Sequence, residues 1–154
     1  MYTDALLTLS GSIVGAVVTG QTVTGAASVL STNTVDLSQA RDVGEGQDLF
    51  ARAQIMTTFT GLTALEVQVI YADDAALTAG VTVAGSSGAI PVAQLTAGAR
   101  FAVGLNPRIA SKGQRYMGLR YVPTGTGTAG AVFGDIGMEI QDGQKFYPSG
   151  FTVA

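Results

Sequence analysis

The chain has 154 residues, 47 % of them hydrophobic and only 12 % charged, with a net charge of −3; a chain of this size can bury a core without metal or disulfide staples. It has neither cysteine nor histidine, which excludes disulfides, thiolate chemistry, every Ser-His or Cys-His pairing and the commonest metal ligand. Residues 1–99 hold two basic side chains against eight acids, and residues 100–154 hold six against three, a polarised charge that suits docking on a patterned partner and lacks the basic stripe of a nucleic-acid binder.

The N-terminal stretch MYTDALLTLSGSIVGAVVTG is apolar. It has no basic start, carries Asp4 and is broken by Gly11, Ser12 and Gly15, so it does not read as a secretory signal. No apolar run approaches the ~20 residues that span a bilayer. A soluble protein made in the cytoplasm, with no membrane partner, is expected.

From residue 48 onward the hydrophobic period is two, the signature of half-buried strands. In DLFARAQIMTTF (48–59), Leu49, Ala51, Ala53, Ile55, Thr57 and Phe59 share a face. In TALEVQVIY (63–71), Leu65, Val67, Val69 and Tyr71 oppose Glu66, Gln68 and Ile70. ARFAVGL (99–105) aligns Phe101, Val103 and Leu105, and QRYMGLRYV (114–122) aligns Met117, Leu119 and Tyr121. AVFGDIGMEI (131–140) sets Val132, Ile136, Met138 and Ile140 against Phe133, Asp135 and Glu139.

Turn-forming clusters separate these runs: Thr60-Gly61, Asp73-Asp74, Gly85 to Gly88, Thr96 to Gly98, Asn106-Pro107 and Pro123 to Gly130. Short strands at roughly ten-residue spacing predict an all-β, antiparallel sandwich or barrel spanning 1–154 as one domain. Residues 1–30 supply an arm or the first strands, and 143–154 form an aromatic tail. Only residues 36–43 and 73–80 could form a helical turn.

The glycine-rich stretch PTGTGTAGAVFGDI (123–136) contains Gly125-x-Gly127-x-x-Gly130, the spacing of a dinucleotide loop. Such a loop needs a helix behind it to receive a pyrophosphate. Here the following residues alternate as a strand and include Gly134 and Gly137, each costing about 1 kcal/mol in a helix. A flexible hairpin loop is the better reading, and no nucleotide cofactor is expected. RDVGEGQD (41–48) spaces Asp42, Glu45 and Asp48 among glycines without the pattern of a calcium loop, so no metal is expected. Asp73-Asp74 reads as a turn, and the adjacent Ser111 and Lys112 carry no oxyanion motif, so no catalytic set emerges and an enzyme is not expected.

Two features exceed what a bland domain requires. NPRIASKGQR (106–115) carries Arg108, Lys112 and Arg115 without an acid, and GQKFYPSGFTVA (143–154) crowds Phe146, Tyr147 and Phe151 around Pro148 and Gly150. These six side chains are the candidate contact residues, since aromatic and basic side chains commonly dominate interfaces.

STNTVDLSQARDVGEGQDLF, GAIPVAQLTAGARFAVGLNP and the ending RYMGLRYV…KFYPSGFTVA resemble the capsid cement, or decoration, proteins of Bordetella-type tailed bacteriophages. The resemblance runs from about Thr32 over nearly the whole remaining chain. It implies a jelly-roll-like β fold, a dimer or trimer, and binding to the major capsid protein on the capsid exterior of the virion, where neighbouring capsomers are clamped. The alternative is a receptor- or carbohydrate-binding β-sandwich of a phage fibre or spike.

Overall fold

A computed structural model describes residues 5–37, 48–105 and 113–138. Two long strands carry it. β7 (Phe50–Ala72) and β10 (Tyr116–Gly137) pair antiparallel from Phe50↔Gly137 to Ala72↔Tyr116. The free edge of β10 is lined in pieces by β1 (Thr8–Ser10), β4 (Gln21–Thr22), β5 (Val29–Leu30) and β6 (Val35–Asp36). The free edge of β7 is lined by β8 (Thr82–Pro91) along its second half and β9 (Arg100–Gly104) along its first. A separate two-stranded ribbon joins β2 (Ser12–Val14) to β3 (Val17–Thr19). Short 3-10 turns occupy Ala5–Leu7 and Val92–Gln94. The fold is all-β, as the period-two pattern predicts.

The predicted turns at Thr60-Gly61 and at Pro123–Gly130 are absent. Both stretches lie inside β7 and β10, so the segments 48–59 and 63–71 belong to one strand, and so do 114–122 and 131–137. Glycine within a strand marks a bulge or a bend as readily as an end. The β7–β10 register slips repeatedly between Thr124 and Val132, and Gly61, Gly125 and Gly130 take φ of 85°, 90° and 151°. Bulges of this kind bend a strand and raise its twist.

The bend is sharp enough to bring the halves of one strand into contact. A straight strand of β10's length would run roughly 70 Å at about 3.3 Å per residue. Instead, a β-carbon on Gly134 would lie 2.7 Å from Leu119 Cδ1 and 3.0 Å from Tyr121 Oη. Tyr121 donates its hydroxyl to Ser10 Oγ at 2.8 Å, and Ser10 pairs with Gly134. Burial pushes the Tyr121 hydroxyl pKa well above its ordinary range. Between the halves lies the main core, with Leu9, Ile55, Leu65, Val67, Val69, Leu119, Tyr121 and Val132 all within 1 % of complete burial. Most members of the alternating sets of β7 and β10 face this core, whereas Thr57 and Met138 of the same sets are exposed.

Three outward assignments need correction. Ile70 is buried with Ala72 and Leu77 in a second cluster. Phe133 and Asp135 are buried as well, at 2 % and 1 % exposure. Asp135 lies opposite Arg52 in the β7–β10 register and accepts Arg52 Nε–H at 2.9 Å on Oδ1, with Nη2 donating to Oδ2. A charged residue at an alternate position reads as solvent-facing unless its partner, here 83 positions away, is known. The predicted turn at Gly85–Gly88 is also strand: it lies in β8, whose register skips between Glu66 and Gln68.

Residues 73–80 form a turn rather than a helix. Asp74 Oδ1 accepts the Ala79 and Thr78 amides at 2.8 Å each, and Oδ2 accepts the Thr78 hydroxyl at 2.7 Å. These bonds, the Ala79 amide first, hold the Asp74 carboxyl below its ordinary value of 3.8. A depressed carboxylate contributes stability above its unfolded pKa and loses it as pH falls through the folded one. The Ala79 amide proton resonance is therefore expected to titrate with a midpoint below 3.8 in an NMR series between about pH 5 and about pH 2. Asp74→Asn should abolish the titration.

Candidate interaction surface

Residues 5–35 contain no Asp, Glu, Lys, Arg or Pro. In the fold these residues become the outer edge beside β10 from β1 to Val35 at the start of β6, where the charged Asp36 follows. Sheet edges are usually blunted by charge, proline or cover. The sequence of this edge carries neither charge nor proline.

The edge is interrupted where the chain leaves the sheet between Ser10 and Gln21. β2 and β3 pair Ser12↔Thr19, Ile13↔Val18 and Val14↔Val17 around Gly15-Ala16. Gly15, at φ 61°, occupies the first central position of a two-residue hairpin loop, where type II′ turns place glycine. At the base, Gly11 has φ 85°, and a β-carbon there would run into the Thr19 carbonyl oxygen. The Ser12 and Thr19 hydroxyls share a hydrogen bond of 2.7 Å. One face of the ribbon shows Val14 and Val17 at 73 % and 62 % exposure, while Ile13 on the other is partly covered. Among the described residues neither strand pairs with a third. Such a ribbon is marginally stable by itself.

The surroundings differ in character. Leu6, 86 % exposed, precedes β1, and Met138, 45 % exposed, follows β10; the Thr8↔Asp135 pairing puts both at the same end of the ladder. The second half of the long strands carries a polar ladder instead. Arg120 Nε donates to Gln68 Oε1 at 2.7 Å, Gln68 Nε2 donates to Glu66 Oε1 at 2.7 Å, and Ser86 Oγ donates to the same Glu66 oxygen at 2.6 Å. The Ser86 bond, then the Gln68 bond, hold Glu66 below its ordinary pKa.

A family model, Bbp16, matches residues 17–136. The chain belongs to the Bbp16 family. The match begins in β3 and runs to Ile136 near the end of β10, so it takes in nearly the whole bent sheet. The name is that of a Bordetella phage protein family. No curated protein matches the chain. Among the described residues no helix is long and apolar enough to cross a membrane.

Of the six candidate contact residues in this Bbp16-family chain, only Arg115 lies within the described residues. It makes a two-pronged ion pair with Asp36, Nε–Oδ1 2.9 Å and Nη2–Oδ2 2.7 Å, and its guanidinium carbon sits 5.2 Å from the Tyr116 ring centroid. Donating these hydrogen bonds to the Asp36 carboxylate raises its pKa further. Arg115 thus ties β6 to β10 as well as facing solvent. Arg108, Lys112, Phe146, Tyr147 and Phe151 lie outside the described residues, as do Asp42 and Glu45 and most of the predicted helical turn at 36–43. Sequence reasoning missed Val14 and Val17. The signal was present in SIVGAVVT, two short apolar β-prone runs around Gly-Ala within a charge-free stretch.

Proposed function

We propose that this Bbp16-family chain is a structural virion protein that binds the outer surface of the phage capsid and holds neighbouring capsomers of the major capsid protein together. It works by contact rather than catalysis, and it self-associates as a dimer or trimer on the shell. The observation that carries the reading is the charge-free outer edge with its valine-tipped ribbon, on a chain of a Bordetella phage family. An exposed apolar patch rimmed by polar residues marks a protein-binding surface, and weak contacts repeated over a lattice add by multivalency.

The fibre or spike reading calls for exposed aromatic rings over a polar groove. The large apolar side chains exposed among the described residues are aliphatic: Leu6, Val14, Val17, Val18, Val83 and Met138. Electron microscopy of particles made with and without this chain separates the two readings. The expected result is density over the whole shell surface, with loss of DNA at a lower temperature when the chain is missing. Density confined to the tail or a vertex, with unchanged heat resistance, would remove the cement reading.

A further inference from the structure

We infer that the β2–β3 ribbon joins two copies of this chain, β3 pairing antiparallel with β3 of the second copy across a two-fold axis at Val18. This rests on the self-association in the reading above and names the surface through which copies meet. β3 is exposed at Val17, Val18 and Thr19, and among the described residues it pairs with β2 alone. An antiparallel pair of identical strands maps onto itself by a two-fold rotation, the commonest symmetry of soluble oligomers. With the axis at Val18, that residue faces its own copy, and Val17 faces Thr19 of the second copy. The two ribbons then form one four-stranded sheet, which removes the marginal stability of a lone hairpin.

Charge selects the second copy. The chain carries a net charge of −3, and residues 1–99 hold eight acids against two basic side chains. A surface that meets itself meets its own charges, and like charges placed opposite each other across strands are destabilising. Contact between copies therefore favours a neutral surface, which residues 5–35 provide. Contact with a different protein has no such need and is ordinarily steered by opposite charge. Interfaces between identical subunits are also the more apolar class, in keeping with Val14 and Val17 at 73 % and 62 % exposure. Extent agrees as well. A stable interface uses about 20–30 residues a side. The ribbon leaves the charge-free edge between the Ser10↔Gly134 and Gln21↔Val132 pairings, so the two-fold axis gathers the flanking parts of residues 5–35 from both copies around it. Its root is fixed, since a β-carbon on Gly20 would lie 3.0 Å from Met56 Cβ.

The test is sedimentation of the full chain at micromolar concentration, as wild type, as Val18→Asp, as Val18→Lys and as an equal mixture of the two variants. The wild type is expected to sediment as a dimer. Each charged variant should dissociate, with a dimer Kd raised at least about tenfold, because it sets like charges face to face. The mixture should regain the dimer, because the axis then places opposite charges together. Circular dichroism checks that each variant keeps its strands; should one fail to fold, Val17→Asp mixed with Thr19→Lys makes the same comparison at the flanking pair. A monomeric wild type, a wild-type trimer, variants that dimerise like wild type, or a mixture that stays monomeric each overturns the pairing. Binding to empty capsids, measured in parallel, keeps the two readings apart. A wild-type dimer that binds no capsid overturns the capsid reading and leaves the pairing standing. A monomeric wild type that binds capsids, with binding lost in both charged variants, assigns the ribbon to the shell protein and overturns the proposal.

Discussion

Arg52→Ala is expected to destabilise the protein by about 3–5 kcal/mol, the cost of leaving one member of a buried ion pair alone. The total stability of a domain is only about 5–15 kcal/mol, so the variant should be close to unfolding. Asp135 is 1 % exposed and Arg52 6 %, and the two meet through both guanidinium prongs, with Arg52 Nη1 also reaching the Met138 carbonyl at 3.5 Å. The strand makes room for this side chain at Gly137, where a β-carbon would lie 2.5 Å from the guanidinium carbon. Urea denaturation of Arg52→Ala beside the Arg52→Met/Asp135→Leu pair provides the check. The double variant should recover most of the loss, because a buried pair replaced by apolar side chains of similar volume is close to neutral. A cost below about 1 kcal/mol for Arg52→Ala, the range of an exposed ion pair, would contradict the burial described for it.

Gly130→Val should cost about 3–5 kcal/mol, by forcing together two separate penalties. The first is steric: a β-carbon at Gly130 would stand 2.6 Å from Phe59 Cγ, and Phe59 is a core residue at 2 % exposure. Overpacking a core costs about 1–3 kcal/mol. The second is conformational, since φ is 151° and a β-branched residue pays about 1–3 kcal/mol in such sparsely populated regions. A fall in melting temperature of roughly 10 °C is expected at 2–4 °C per kcal/mol. Gly88→Ala provides a positive-φ substitution without the steric contact, because Gly88 has φ 67° and open space around a would-be β-carbon. If the two variants melt together, the bend does not depend on the close approach of β10 to Phe59.

The alternation that made the chain legible as β also named the right inward faces: Leu65, Val67, Val69 and Tyr71 on β7, and Met117, Leu119 and Tyr121 on β10. It failed where glycine has two meanings. Gly61 and the glycines of 123–130 look like strand ends in a sequence, yet here they let two strands continue around a bend. That distinction depends on whether a neighbour keeps the ladder going, which is a tertiary fact. The dinucleotide spacing dissolved for a reason the sequence did contain, since Gly134 and Gly137 sit in a strand that runs on to Gly137. Asp135 is misassigned when polarity is taken for exposure, and nothing in the alternation sets Val14 and Val17 apart from valines that enter the core. Both have one cause: period and polarity describe a residue's tendency, and only the partner across the sheet decides whether the tendency is satisfied.

The order in which the strands leave the ribosome has a consequence for the growing chain. The edge pieces between Thr8 and Asp36 are synthesised first, yet the strand that receives them, β10, is the final described element. At 5–20 residues per second, the intervening stretch takes on the order of 5–20 s to emerge. Throughout that interval a segment without charges or proline, the residues that act as gatekeepers against aggregation, waits without its permanent neighbour. Chaperone access during translation, and the yield of soluble chain at high expression, should therefore be governed by residues 5–35 far more than by the long strands that later enclose the core.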